Sequence, residues 1–185
     1  VPSDKPYLKT TVFETWKKRI PWLLLLMISA TFTGKIIASF EDALSVYVVL
    51  TSFITMLMDT GGNSGGQASV TVIRGLSLNE ISFSDTSKVL WKEIRVAVLC
   101  GITLAAANFV KLMIVDRVTL PVAAVVCLTL VAAVFFDKIV GSMLPIAAKK
   151  LGFDPAVMAS PFITTIVDAL SLLIYFKIAT MLLGI

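Results

Sequence analysis

Residues 155–183 read PAVMASPFITTIVDALSLLIYFKIATMLL. The run is longer than the roughly 20 residues that an α-helix needs to cross a bilayer. One carboxylate, Asp168, interrupts it seven residues past Pro161, about two helical turns into the apolar stretch. A charge at that depth costs on the order of 3 kcal/mol on insertion scales. Such a residue faces a protein interior or a water-filled path, not lipid, and the position reads as a cation site. The competing reading is a buried structural carboxylate held by a lysine or by hydroxyls.

The rest of the chain agrees with a membrane setting. Of its 185 residues, 57% are hydrophobic and the mean hydropathy is +0.93, well above the 45–50% apolar content of soluble domains. The fold class is therefore an all-α integral membrane protein. Histidine is absent, which excludes His-ligated zinc, iron or copper and any Ser-His or Cys-His pair. Cys100 and Cys127 sit in apolar runs without CxxC spacing and read as packing residues. Oxygen ligands remain, and these suit hard cations such as Mg²⁺ or Ca²⁺. The net charge of +4 does not indicate nucleic-acid binding, because the basic residues are distributed as in a membrane protein.

Five spans are expected, at about residues 22–40, 43–73, 88–115, 120–148 and 155–183. Lys5, Lys9, Lys17, Lys18 and Arg19 precede the first span. Arg74, Lys88 and Lys92 flank the connection from second to third, and Lys149 and Lys150 join fourth to fifth. The positive-inside rule then puts the N-terminus in the cytoplasm and the C-terminus outside the cell membrane. Lys35 and Lys177 fall near the outer ends of their spans, where they can snorkel. Ahead of the first span, Leu8, Val12, Phe13 and Trp16 share one helical face. That pattern fits a short cytoplasmic amphipathic helix, either an interfacial anchor or a linker to a soluble domain. The chain opens abruptly with VPSDKPYLKT, so soluble parts are expected to precede it.

Within the second span Thr51, Thr55, Asp59, Asn63 and Gln67 recur every four residues and so share a helix face. Beside them Gly61, Gly62, Gly65 and Gly66 form two overlapping GxxxG pairs, which allow close helix approach, and glycine also allows a local break that aims carbonyls at a cavity. The segment GGNSGGQ is not a phosphate loop, since no Lys-Ser/Thr follows it. The fifth span carries a matching stripe, Ser160 or Pro161 followed by Thr164, Asp168, Ser171 and Tyr175. Pro161 donates no backbone hydrogen bond and so frees the carbonyl of Val157. A single carboxylate is a poor divalent site. Two copies across a homodimer axis make a better one, holding Mg²⁺ through the waters it gives up reluctantly. Asp137 and Lys138 in the fourth span point about 100° apart, and structural pairing to other helices is favoured for them.

LPIAAKKLGFDPAVMASPFITTIVDALSLLIYF, residues 144–176, resembles the signature of the MgtE magnesium channel family and its solute-carrier relatives. MDTGGNSGGQASVTVIRGLS, residues 58–77, resembles the family's second-helix motif, and RIPWLL, residues 19–24, the start of its first helix. The resemblance implies a homodimeric Mg²⁺ channel with five transmembrane helices per subunit and a pore at the subunit interface. It implies residues 1–19 as a cytoplasmic linker or plug helix, residues 20–185 as the pore domain, and cytoplasmic regulatory domains ahead of both. Asp168 matches the central ligand for hydrated Mg²⁺, with a backbone contribution from Thr164, and Asn63 matches a position near the cytoplasmic side. Asp59, Gly62, Pro161 and Ser171 complete the expected pore lining, and Mn²⁺ and Ca²⁺ are candidates for the same site. Ser160 stands where many relatives have Asn.

Two other functions compete. An ion-coupled exchanger would use Asp168 in alternating access, but no inverted repeat is visible. An intramembrane aspartyl protease would need Asp59 and Asp168 as an acid–base dyad, yet the chain has no GxGD-like motif. The chain is therefore read as a transporter and not as an enzyme.

Overall fold

The protein, seen here in a computed structural model, is described over residues 5–185, excluding the side chains of residues 156–161. Helices account for nearly all of it: α1 (Val12–Ser39), α2 (Glu41–Val46), α3 (Ile54–Ser77), α4 (Thr86–Lys111), α5 (Leu120–Lys150) and α6 (Pro155–Leu183). Among the described residues, four segments are long and apolar enough to cross a membrane: Val12–Ser39, Phe83–Asp116, Leu120–Lys150 and Phe162–Leu183. With 24 residues, α3 is about 36 Å long, which is sufficient length. Its glycines and polar residues keep it below the apolarity of the other four.

Local chemistry sets the helix ends. Thr11 caps α1, its hydroxyl accepting from the Glu14 N–H while the Glu14 carboxylate accepts from the Thr11 N–H. This reciprocal pair satisfies two of the orphan donors at a helix start. α1 then runs without interruption through Pro21, so Val12, Phe13 and Trp16 belong to the same helix as the first span, and Leu8 lies ahead of it in a 3₁₀ turn, Tyr7–Lys9. The expected second span is not one helix. α2 ends at Val46, Tyr47 adopts φ −123° and ψ 73°, and a 3₁₀ segment, Val48–Phe53, leads into α3. The cause is local: Val46, Val48 and Val49 are β-branched and weak helix formers.

At the other end of α5, Gly152 takes φ +83°. The Gly152 N–H reaches the Lys149 carbonyl at 3.1 Å and the Phe153 N–H reaches Ala148 at 2.9 Å, the two bonds of a Schellman cap. A side chain at that φ is strained by about 1–2 kcal/mol. Gly152→Ala is therefore expected to lower the Tm of the purified protein by a few degrees, with no effect on the polar residues of α3 and α6.

α5 occupies the middle of the bundle, packed against α3, α4 and α6. Val125, Val126, Leu130 and Val134 of α5 meet Leu50, Leu57, Leu172 and Phe176 in one apolar core. The outer faces of α1 and α4 expose large apolar side chains, among them Leu24, Ile28, Phe32, Leu99, Ile102 and Val110. Apolar area on this scale marks a surface that meets other apolar material.

Candidate functional site

The site forms where α3 and α6 pass each other on the surface of the subunit. A groove of about 680 Å³ runs between them, with Asp59, Gly62, Asn63 and Gly66 on one wall and Thr164 and Asp168 on the other. Asp59, Asn63 and Thr164 are exposed and Asp168 is half-buried. Arg74 lies at one end of the same groove. The four-residue period of α3 explains the first wall: Thr55, Asp59, Asn63 and Gln67 all point away from the core.

The glycines of α3 divide into two faces with different duties. Gly61 and Gly65 are buried. A Cβ at Gly61 would lie inside the Asp137 carboxylate and 2.6 Å from the Ser171 hydroxyl, and one at Gly65 would come within 2.9 Å of the Asp137 carbonyl. Gly62 and Gly66 face the groove. A Cβ on Gly62 would first meet Asp168 Oδ1 at 3.9 Å, and one on Gly66 would meet nothing within 4 Å. One glycine pair is thus a packing surface against α5, and the other leaves bare backbone opposite Asp168. Close packing holds for Gly61 and Gly65, whereas no local helix break occurs at these glycines, since α3 is continuous from Ile54 to Ser77.

The second wall is held from behind. Next to Thr164, the Thr165 hydroxyl is hydrogen-bonded to the hydroxyl of Ser29 on α1. Three residues beyond Asp168, Ser171 is buried and donates to Asp137 Oδ2 at 2.8 Å. Tyr175 is also buried and donates to the Leu50 carbonyl at 2.7 Å, which ties α6 to the 3₁₀ segment before α3. Of the expected lining residues, the groove brings together Asp168, Thr164, Asp59, Asn63 and Gly62. Ser171 is not among them, because Asp137 of α5 draws its hydroxyl into the core. The side chain of Pro161 lies outside the described residues.

Sequence reasoning assigned no role in the site to Asp137, Lys138 or Gly141. Their signal is present but indirect. Asp137 and Gly141 are four apart on α5, matching the four-residue spacing of Gly61 and Gly65 on α3. In the structure, a Cβ on Gly141 would overlap the Gly65 backbone. Lys138 points its ammonium at the Ser64 carbonyl, 3.5 Å away. Among the described residues no cluster of three or more acidic or cysteine side chains could enclose a metal by itself.

A family model for MgtE, described as a divalent cation transporter, matches residues 54–178. That range takes in both walls of the groove. The magnesium transporter MgtE of Thermus thermophilus is 34% identical over 97% of this chain and 40% of its own length. Proteins of the same name from Enterococcus faecalis and Bacillus subtilis are 35% and 36% identical, over 89% and 92% of this chain and 36% and 38% of their own lengths. The chain thus spans about two fifths of the length of these relatives.

Proposed function

The chain belongs to the MgtE family of divalent cation transporters, and from that premise we propose that it forms the pore domain of a Mg²⁺ channel. Two subunits juxtapose their α3–α6 grooves across a two-fold axis. Hydrated Mg²⁺ passes between the paired Asp168 carboxylates, with Thr164, Asn63, Asp59 and Gly62 lining the path. α3 is then the fifth span, placed where its polar face meets water and a second subunit instead of lipid.

The observation that carries this reading is the direction in which the polar residues point. Asp59, Asn63, Thr164 and Asp168 face out of the subunit, side by side in one groove. Ionisable groups at membrane depth are too costly to expose to hydrocarbon. A dimer axis along the groove gives them a wet, enclosed path and doubles the carboxylates available to the ion. Mg²⁺ keeps most of its water and is usually bound through one or two carboxylates, which fits two facing aspartates better than a dedicated cage. The basic residues Arg74, Lys149 and Lys150 then lie on the cytoplasmic side with residues 1–19, and the C-terminus lies outside. The exposed apolar faces of α1 and α4 meet lipid. Regulatory domains N-terminal to the pore would fit relatives whose length is more than twice that of this chain.

The test is Mg²⁺ uptake into liposomes loaded with a Mg²⁺-sensitive dye, under an imposed membrane potential. A channel takes up Mg²⁺ in proportion to the inward-negative potential, with no Na⁺ or proton gradient present. A strict requirement for an opposing Na⁺ or proton gradient would transfer the reading to an exchanger.

A further inference from the structure

Two ionisable side chains lie in the core of the bundle, on the side of α3 and α6 that faces away from the groove. Asp137 is 0% exposed and Lys138 4% exposed. Burying charges in this way is expensive, and apolar residues of similar size often stabilise a fold more. Among the described residues no ion pair joins these two to each other. Each instead grips a different wall of the groove. Asp137 accepts from Ser171 on α6 at 2.8 Å, one turn from Asp168. Lys138 donates to the Ser64 carbonyl on α3 at 3.5 Å, next in sequence to Asn63.

The glycines make the two sides of α3 a single lever. Gly61 presses on the Asp137 carboxylate and Ser171, while its neighbour Gly62 stands opposite Asp168. A displacement of α3 relative to Asp137 therefore appears on the other side as a change in the gap between Gly62 and Asp168. The same carboxylate fixes α6 through Ser171, so Asp137 references both walls to one point on α5. We infer that Asp137 and Lys138 are positioning residues: α5 does not line the groove but sets its width, and so sets which hydrated divalent cation Asp168 accepts. This inference rests on the proposed role of Asp168 as the ion's ligand.

Ser171→Ala is the primary probe, since it removes one hydroxyl and leaves the packing otherwise intact. The readout is the ratio of Mg²⁺ to Ca²⁺ flux in liposomes carrying the intact protein, alongside its Tm. Ser171→Ala is expected to change that ratio by about two- to tenfold, the range that one hydrogen bond governs. Asp137→Asn, whose amide oxygen still accepts from Ser171, should stay close to wild type. Asp137→Ala should shift the ratio at least as far as Ser171→Ala, because it also removes the carboxylate against which Gly61 packs, and adding Ser171→Ala to it should change nothing further. Lys138→Met should shift the ratio by releasing α3. If Ser171→Ala keeps the wild-type ratio while Asp168→Ala abolishes flux, the positioning role is wrong and the assignment of Asp168 survives. If Asp168→Ala transports as wild type, the assignment itself fails. A ratio that changes only in variants with lowered Tm would also overturn the positioning role, in favour of plain destabilisation.

Discussion

Liposomes carrying the Asp168→Ala protein are expected to take up Mg²⁺ at about a hundredth of the wild-type rate or less. The size of the effect follows from what faces the ion. Asp168 is half-buried and is the one carboxylate that α6 brings to the groove, beside the neutral Thr164 and across from Asp59 and the backbone of α3 at Gly62. Loss of one partner from a buried charge pair costs about 3–5 kcal/mol, and 1.4 kcal/mol is a factor of ten. Partial exposure of Asp168 reduces that cost, and in the proposed dimer its duplication across the two-fold axis would restore it. Asp168→Asn isolates the charge: it keeps the shape and an oxygen donor, so near-complete loss in this variant assigns the effect to the carboxylate. A tethered dimer carrying a single Asp168→Ala subunit should fall between the two. Mg²⁺ uptake under a fixed potential measures all three, and uptake by Asp168→Ala above half the wild-type rate would remove Asp168 from the conduction path.

The costly carboxylate in α6 was legible because nothing else in an apolar run explains it. The outward face of α3 was legible because polar residues every four positions define a single side of a helix. What the sequence concealed was the flank of the α6 stripe. Thr164, Asp168, Ser171 and Tyr175 project within about 60° of one another at ~100° per residue, so in projection they form one polar stripe. The neighbouring helices divide it. α5 covers one edge with Asp137, which captures Ser171, and Leu50 captures the Tyr175 hydroxyl. A helix projection contains no information on where the next helix lies. The break at Tyr47 was concealed for a different reason: a run of apolar residues reads the same whether the backbone is α or 3₁₀, and only the β-branching of Val46, Val48 and Val49 hinted at it. Likewise the overlapping glycine pairs looked like one feature. Their separation into a packing pair and a groove pair depends on the 100° between Gly61 and Gly62, which puts one against Asp137 and the other opposite Asp168.

Among the glycines, Gly141 is the one where an added methyl would run deepest into backbone, and Gly141→Ala is expected to be strongly destabilising. Gly141 packs backbone against backbone on Gly65, and a Cβ there would overlap the Gly65 carbonyl group. A side-chain obstacle can rotate away, but a peptide group in the middle of α3 cannot, so the two helices must separate along their whole contact. Overpacking costs about 1–3 kcal/mol where side chains can adjust, and the upper end applies where they cannot. For a chain of this size each kcal/mol lowers Tm by about 2–4 °C, so Gly141→Ala is expected to lower Tm by about 5–10 °C. The control is Gly66→Ala on the opposite face of α3, where an added Cβ meets nothing within 4 Å and Tm should hold. Thermal unfolding of both variants in the same detergent decides the matter: equal Tm values would mean that α3 and α5 do not meet at their glycines. Separation of α3 from α5 also withdraws Gly61 from Asp137 and carries Gly62 away from Asp168, so the fraction of Gly141→Ala protein that remains folded should conduct with altered selectivity. On the proposed pore, stability and conduction should therefore change together in Gly141→Ala, and packing alone should hold both at wild-type values in Gly66→Ala.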